Sequence, residues 1–343
     1  MSKSARRRPT AKKTPTAAPA PVAAQRKPPP LLWAALALVM VATVAGTVLL
    51  WPHPPGADLS PTRGGGPRLL AQVNSLYNDI GVYQQSDGLM MMTFGARRLH
   101  YVESIVNPED ELDLPVTYTQ SMTAGLAYAS ELTSAAIIGL GGGRTAWYYH
   151  KSVPDLDFTA AELDPEVARL TDEYFGVRPE KNFAIEVQDG RVWLAKSEKD
   201  FDVILIDAYR GPFVPFHLLT SEFYKLVAKH LEPGGVAVQN VEPTTMLFDS
   251  AVATINSAFE HVVFLRGKGN IVILAYNGRL KDEATLQRQA AERTRQYHLR
   301  YPLTEILDRR FAPQWNAETK PLTDDFAPVE YLKAIARHNE KQS

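Results

Sequence analysis

The stretch AAIIGLGGGRTAWYYH, residues 135–150, restricts this chain more than any other. An apolar run ends on glycines and resumes with helical spacing, as a strand does when it turns sharply into a helix. Glycine suits a backbone that needs unusual angles or must approach a ligand closely. The same grammar repeats downstream. DFTAAEL (157–163) reads as a second strand, and a helix opens at Asp164-Pro165, an N-cap with proline at the first helical position. FAIEVQ (183–188) and FDVILID (201–207) read as the third and fourth strands. TSEFYKLVAKHL follows as a helix capped by Thr220 or Ser221, and EPGGVAVQN supplies a turn and a fifth strand. A helix from about Thr245 to Phe259 then leads to HVVFLRG and NIVILAYNG, a closing hairpin. Alternating elements with nearly continuous apolar strands predict an α/β fold, a parallel sheet covered on both faces.

In such a sheet the ligand sits outside the carboxyl ends of the strands. Four of those ends carry candidate groups. After the first strand comes Gly139-Leu140-Gly141-Gly142-Gly143, and the second strand carries Glu162, about 20 residues on. An acid there can accept hydrogen bonds from both hydroxyls of a ribose. Asp189-Gly190 follows the third strand and Asp207 ends the fourth. Taken in order along one sheet, these predict a nucleoside site. A dinucleotide oxidoreductase is disfavoured because GLGGGRT lacks the G-x-G-x-x-G/A spacing.

The flanks define the rest of the organisation. Residues 1–30 hold eight basic side chains and no acid among Pro and Ala, a basic disordered tail. LLWAALALVMVATVAGTVLLW (31–51) is uncharged over 21 residues, with Trp33 and Trp51 near its ends. That is long enough for a transmembrane helix in a lipid bilayer, and too long for an ordinary signal peptide. Eight basic residues before the span place the N-terminus in the cytoplasm and the main domain outside. Residues 52–68 form a Pro/Gly linker, residues 69–118 a small β-rich subdomain with a hairpin turning at Asp87-Gly88, residues 119–280 the nucleoside-binding domain, and residues 281–343 a helical extension. VTYTQSMTAGLAYASEL reads as one helix. The formal net charge of −1 gives no reason to expect nucleic acid as a partner. Without cysteine there is no disulfide or thiolate metal site, and the eight scattered histidines predict no metal centre.

With these residues in view, IIGLGGGRTAW, AAELDPEV, VQDGRVWL and FDVILIDAYRG together resemble the spermidine synthase (polyamine aminopropyltransferase) family, over about residues 73–276. The resemblance implies a small N-terminal β-domain ahead of a Rossmann-like, S-adenosylmethionine-dependent methyltransferase-type domain, and a tendency to form a homodimer. Its donor would be S-adenosylmethionine or the decarboxylated form. By motif, Gly139 and Gly141 to Gly143 would flank the sulfonium nucleoside, Glu162 would hold its ribose, and Asp189 with Gly190 would meet the adenine. Asp207 would be the catalytic acid/base, with Tyr209 beside it. Asn78, in SLYNDIGV, stands where the family has a nucleotide-contacting Gln, and Gln239 falls at a glutamine position near the site.

The chain departs from the family at three acids of the acceptor side. G-G-G-D-G becomes Gly141-Gly142-Gly143-Arg144-Thr145, D-S-S-D-P becomes Asp207-Ala208-Tyr209-Arg210-Gly211, and Y-x-E becomes Tyr118-Thr119-Gln120. Two like charges ~4 Å apart at an effective dielectric of ~20 repel by roughly 4 kcal/mol, so Arg144 and Arg210 beside a dicationic amine argue against putrescine. Arginine forks suit carboxylates. One reading is that Arg144 pairs the carboxylate of intact S-adenosylmethionine; another is an anionic acceptor; a third turns both arginines to solvent in a decayed site. The leading expectation is a membrane-anchored, spermidine synthase-like transferase acting on a small-molecule acceptor. A methyltransferase on the same scaffold and an inactive nucleoside or anion sensor are the alternatives. The donor's cytoplasmic origin conflicts with the outward topology of the charge rule. His217 is placed near the acceptor pocket or at a helix start, and Trp147, Tyr148 and Tyr149 in the core. Asp324, Asp325 and Glu330 fall in a stretch read as a docking segment, with the supply of replacement acids to the site as the alternative.

Overall fold

The computed structural model describes residues 66–95, 101–210 and 213–325. The tail (1–30), the apolar span (31–51), nearly all of the linker and Glu330 lie outside the described residues. Among the described residues no helix is long and apolar enough to cross a membrane.

The chain first builds a small antiparallel sheet in the order β1-β2-β3-β4, from β1 (Arg68–Asn74), β2 (Asp79–Gln84), β3 (Met90–Phe94) and β4 (Tyr101–Val106). The expected hairpin joins β2 to β3, with Gly88 at φ 88° in its turn. The expected helix over the next segment is instead split into α1 (Thr117–Met122) and α2 (Gly125–Tyr128). At the break the Tyr149 hydroxyl donates to the Met122 carbonyl at 2.8 Å, and the Thr123 and Ala124 N–H groups bond carbonyls three residues back, which interrupts the α-helical ladder.

The main domain then runs β5 (Ser134–Ile138), α3 (Arg144–Ser152), β6 (Asp157–Glu162), α4 (Pro165–Phe175), β7 (Phe183–Val187), α5 (Gly190–Lys196) and β8 (Phe201–Ile206). It continues through a 3₁₀ turn (Phe216–Leu218), α6 (Ser221–Lys229), β9 (Leu231–Val241), α7 (Phe248–Ala258), β10 (His261–Arg266) and β11 (Ile271–Tyr276). After α8 (Glu283–Gln296) and α9 (Leu303–Leu307) comes a two-residue strand, β12 (Arg310–Phe311). The sheet order is β12-β10-β11-β9-β8-β5-β6-β7. β9, β8, β5, β6 and β7 are parallel, and β11 and β10 close the sheet antiparallel. This is the Rossmann-like arrangement read from the pattern. The extension past residue 280 is not purely helical, because Phe311 and Arg310 pair with Phe264 and Leu265 and add an edge strand.

Every residue of β8 is buried, as a strand covered on both faces requires. Apolar clusters fill both faces of the large sheet, one containing Trp147, Tyr148 and Tyr149, the other the inner faces of α6 and α7. A third cluster joins the small sheet to α4, where Ile80, Val82, Met92 and Phe94 meet Val167, Leu170 and Phe175. That contact fixes β4 beside the carboxyl edge of the large sheet. The chain winds from β5 outward to β7, then returns to β8 on the other side of β5. The crevice at that switch point is where a parallel sheet receives its ligand.

Candidate functional site

A cavity of about 660 Å³ opens at this switch point. Its floor is the bend after β5. Gly139 has φ 88° and Gly141 φ 52°, both left-handed. A Cβ on Gly139 would stand 2.5 Å from the Asp207 carbonyl oxygen, so the β5 and β8 ends touch through a residue that must lack one.

One half of the cavity is organised by main-chain groups. Glu162 is buried; its Oε2 accepts the Leu140 N–H at 2.8 Å and its Oε1 the Asp164 N–H at 2.9 Å. Burial pushes its carboxyl up and these N–H groups pull it back. Asp164 caps α4 through the Glu166 N–H and meets the Ser75 hydroxyl in the turn before Asn78. Asp189 caps α5, accepting from Val192 N–H at 2.9 Å, and pairs with His217 Nε2 at 2.9 Å. The histidine beside it holds Asp189 below the usual carboxylate range. A Cβ on Gly190 would come within 2.3 Å of Ile138, which keeps α5 tight against β5. Asn78, Gly139, Gly141, Glu162, Asp189, Gly190 and His217 all line the cavity.

The other half is built of side chains. Asp207 Oδ1 accepts from Asn240 Nδ2 at 2.9 Å, and Tyr118 hydrogen-bonds the same carboxyl. Tyr209 donates its hydroxyl to the Asn240 carbonyl at 3.0 Å, so Asn240 locates both neighbours. Burial pushes Asp207 up to about 6, against the opposing pull of those hydrogen bonds. Glu103 from β4, Glu242 after β9 and Asn270 before β11 complete this half. Burial first and Asp207 second push Glu103 well above the ordinary carboxyl range. A carboxyl near 6 suits proton exchange with an amine near neutral pH.

Several residues singled out in the sequence are elsewhere. Arg144 is buried away from the cavity; its Nη1 donates to Glu111 O at 3.1 Å and its Nη2 to Phe175 O at 3.2 Å. It neither meets a donor carboxylate there nor faces solvent, because the first turn of α3 aims it at the carbonyls of the 107–111 loop. Gln120 donates to Leu114 O and accepts from Arg309, also outside the cavity. Gln239 lies under the sheet against Tyr224, at 2.9 Å, because side chains alternate along β9 and its neighbour Asn240 takes the cavity face. Gly142 and Gly143 are not in the lining: Gly142 donates its N–H to Ser104 Oγ at 2.7 Å, and Gly143 is the left-handed N-cap of α3. Arg210 does line the cavity and is exposed. Asp324 does not; it binds Arg191 Nη1 at 2.8 Å and Thr220 Oγ1 at 2.7 Å, which ties the segment near residue 324 to α5 and α6. Asp325 is likewise absent from the lining.

Sequence reasoning missed Glu103, Asn240, Glu242 and Asn270. Asn240 carried a signal, since it lies one residue from a flagged position on a strand whose faces alternate. Glu103 carried none, as it sits in a strand of another sheet.

Residues 119–280 match the spermine/spermidine synthase domain. A polyamine aminopropyltransferase of Vibrio vulnificus is 29% identical over 289 residues, covering 80% of this chain and 95% of that protein. A probable polyamine aminopropyl transferase of Bifidobacterium longum is 29% identical over 281 residues, 75% of this chain and 60% of that one. Among solved structures, a probable spermidine synthase from Corynebacterium glutamicum gives a TM-score of 0.57 at 20% identity, covering 75% of this chain and 99% of its own. The spermidine synthase from Thermotoga maritima gives 0.58 at 20% identity, over 72% and 85%. At such identity these two likenesses establish the fold.

Proposed function

The chain belongs to the spermidine synthase family, and from that premise we propose that it is a transferase moving an aminopropyl group from a decarboxylated S-adenosyl donor to an amine. The nucleoside rests on the half built by Glu162, Asp189 and the Gly139 bend. The amine nitrogen reaches Asp207, which takes its proton. The nitrogen lone pair then forms a bond to the methylene carbon next to the sulfonium, the carbon–sulfur bond breaks, and its electron pair returns to sulfur, which leaves as methylthioadenosine. The observation that carries this reading is Asp207: a carboxyl pushed up to about 6 at the meeting point of the two halves of the cavity, held by Asn240 and Tyr118.

The charge of the cavity supports an amine acceptor. Glu103, Asp207 and Glu242 line its side-chain half, and Arg210 is the one lysine or arginine among the described lining residues. Arg144, one of the two arginines that argued against putrescine in the sequence, is engaged elsewhere. The test is product identity. Incubation with decarboxylated donor and putrescine is expected to release methylthioadenosine; release of S-adenosylhomocysteine from the intact donor would make the protein a methyltransferase, and tight binding with neither product a sensor.

The apolar run at 31–51 supports a single-pass anchor with the basic tail in the cytoplasm. The charge rule then puts the catalytic domain outside, whereas donor supply requires it inside. A reporter fused to the C-terminus reads the side directly. Gel filtration with light scattering tests the homodimer.

A further inference from the structure

Glu103 reaches the cavity from β4, in the small sheet, while Asp207 reaches it from the end of β8. The strand is held in place, since the neighbouring Ser104 accepts the Gly142 N–H at 2.7 Å. Yet Glu103 Oε1 is shut away from solvent and has no hydrogen-bond partner among the described residues. A buried carboxylate oxygen without a donor is costly, and such an atom in a ligand cavity awaits one. The groups facing it do not supply it. Tyr118, on α1, is committed to Asp207; Tyr209 donates to the Asn240 carbonyl; Asn240 Nδ2 is committed to Asp207. Glu242 adds negative charge from the end of β9, Asn270 hydrogen-bonds Tyr209, and Arg210 is exposed. Asp207 itself disfavours a second negative charge on Glu103. Two carboxyls sharing one space hold a proton that neither needs once a cation lies between them.

Resting on the aminopropyl-transfer reading, we propose that Glu103 is the second acceptor-binding carboxylate: it and Asp207 grip the reacting ammonium of a primary aliphatic amine. Asp207 then takes one proton from the bound ammonium to free its lone pair. Glu103 stays ionised beside the nitrogen, which becomes positive again when the new carbon–nitrogen bond forms. Selection of a cationic over an anionic acceptor is therefore shared between the small sheet, through Glu103, and the large one, through Asp207.

The test is calorimetry on the full chain saturated with methylthioadenosine and titrated with putrescine between pH 6 and 8, in buffers of different ionisation enthalpy. The wild-type protein is expected to release protons on binding the amine. Glu103→Gln is expected to bind putrescine about tenfold or more weakly, as loss of a charge-assisted contact implies, and to lose that proton release. Glu103→Asp is expected to restore part of both. Unchanged methylthioadenosine affinity in the variants shows that the fold and nucleoside half survive. A Glu103→Gln protein with wild-type putrescine affinity and proton count overturns the role of Glu103 while leaving the transfer reading intact. A wild-type protein that binds methylthioadenosine but no amine overturns both.

Discussion

The two halves of the cavity are held by different kinds of interaction. On the nucleoside side, Glu162 and Asp189 accept backbone N–H groups, and the approach is set by glycines with positive φ. On the acceptor side, Asp207, Tyr118, Asn240 and Tyr209 are joined by hydrogen bonds of their side chains, and Glu103 Oε1 and Asn240 Oδ1 have no hydrogen-bond partner among the described residues. Main-chain donors persist whatever the neighbouring side chains are, so the first half tolerates divergence around it. A side-chain network can be rebuilt from other positions, and here the acids that family motifs place at positions 120, 144 and 210 are absent while acids at 103 and 242 line the cavity. On the proposed function, the difference makes binding the nucleoside and choosing the acceptor separable in this fold.

The strongest way to break that separation is at the residue both halves share. Gly139→Ala puts a Cβ within 2.5 Å of the Asp207 carbonyl at a left-handed φ, so it is expected to cost about 3 kcal/mol or more and to impair both halves, read by thermal melting and by both binding assays. Asp207→Asn sharpens the contrast: turnover is expected to fall by roughly 10²–10⁴-fold, the range for a lost general base, with methylthioadenosine affinity nearly unchanged. Comparable losses of both would show one coupled site. Glu162→Gln is the mirror experiment. An amide can accept only one of the two N–H bonds without turning a donor on the other, so nucleoside affinity is expected to drop by about tenfold or more, with putrescine binding to the remaining protein retained. Arg144→Met removes a buried guanidinium that serves the carbonyls of Asn107, Glu111 and Phe175; it is expected to cost roughly 1–3 kcal/mol of stability without changing acceptor preference. A change in acceptor preference would return Arg144 to the site.

The smallest expected effect is on pH. Asp207 rises from 3.8 to about 6 on folding and Glu103 also rises, so the folded protein binds more protons than the unfolded chain in that interval. The Asp207 contribution to stability is fully present below about 4 and is lost as pH rises through about 6, and the Glu103 contribution falls in the same direction as its carboxyl ionises. Asp189 and Asp324 are shifted the other way and lose stability on acidification. The difference in melting temperature between wild type and Asp207→Asn therefore isolates Asp207, since Glu103 is present in both: the wild type is expected to lose a few degrees relative to the variant between pH 4 and 7.

The large sheet was legible because its strands are apolar throughout and its turns need glycine. Glu162, Asp189 and Asp207 were legible for the same reason, since a strand's carboxyl end is a position that sequence periodicity locates. The direction of a side chain past that end was not. Arg144, one residue beyond the glycines, turns to carbonyls of the 107–111 loop, and Gln239 faces Tyr224 while Asn240 faces Asp207. The single helix expected over 116–132 is interrupted where the Tyr149 hydroxyl, on another element, takes up the Met122 carbonyl.

By itself, the sequence determined the parallel sheet, its closing hairpin and the nucleoside bend, because these follow from local periodicity and from backbone angles that few residues tolerate. Only the tertiary structure decided which acids share a cavity with Asp207. Glu103 meets Asp207 because an apolar face of the small sheet docks on α4, and a contact between residues more than a hundred positions apart leaves no local trace in the chain.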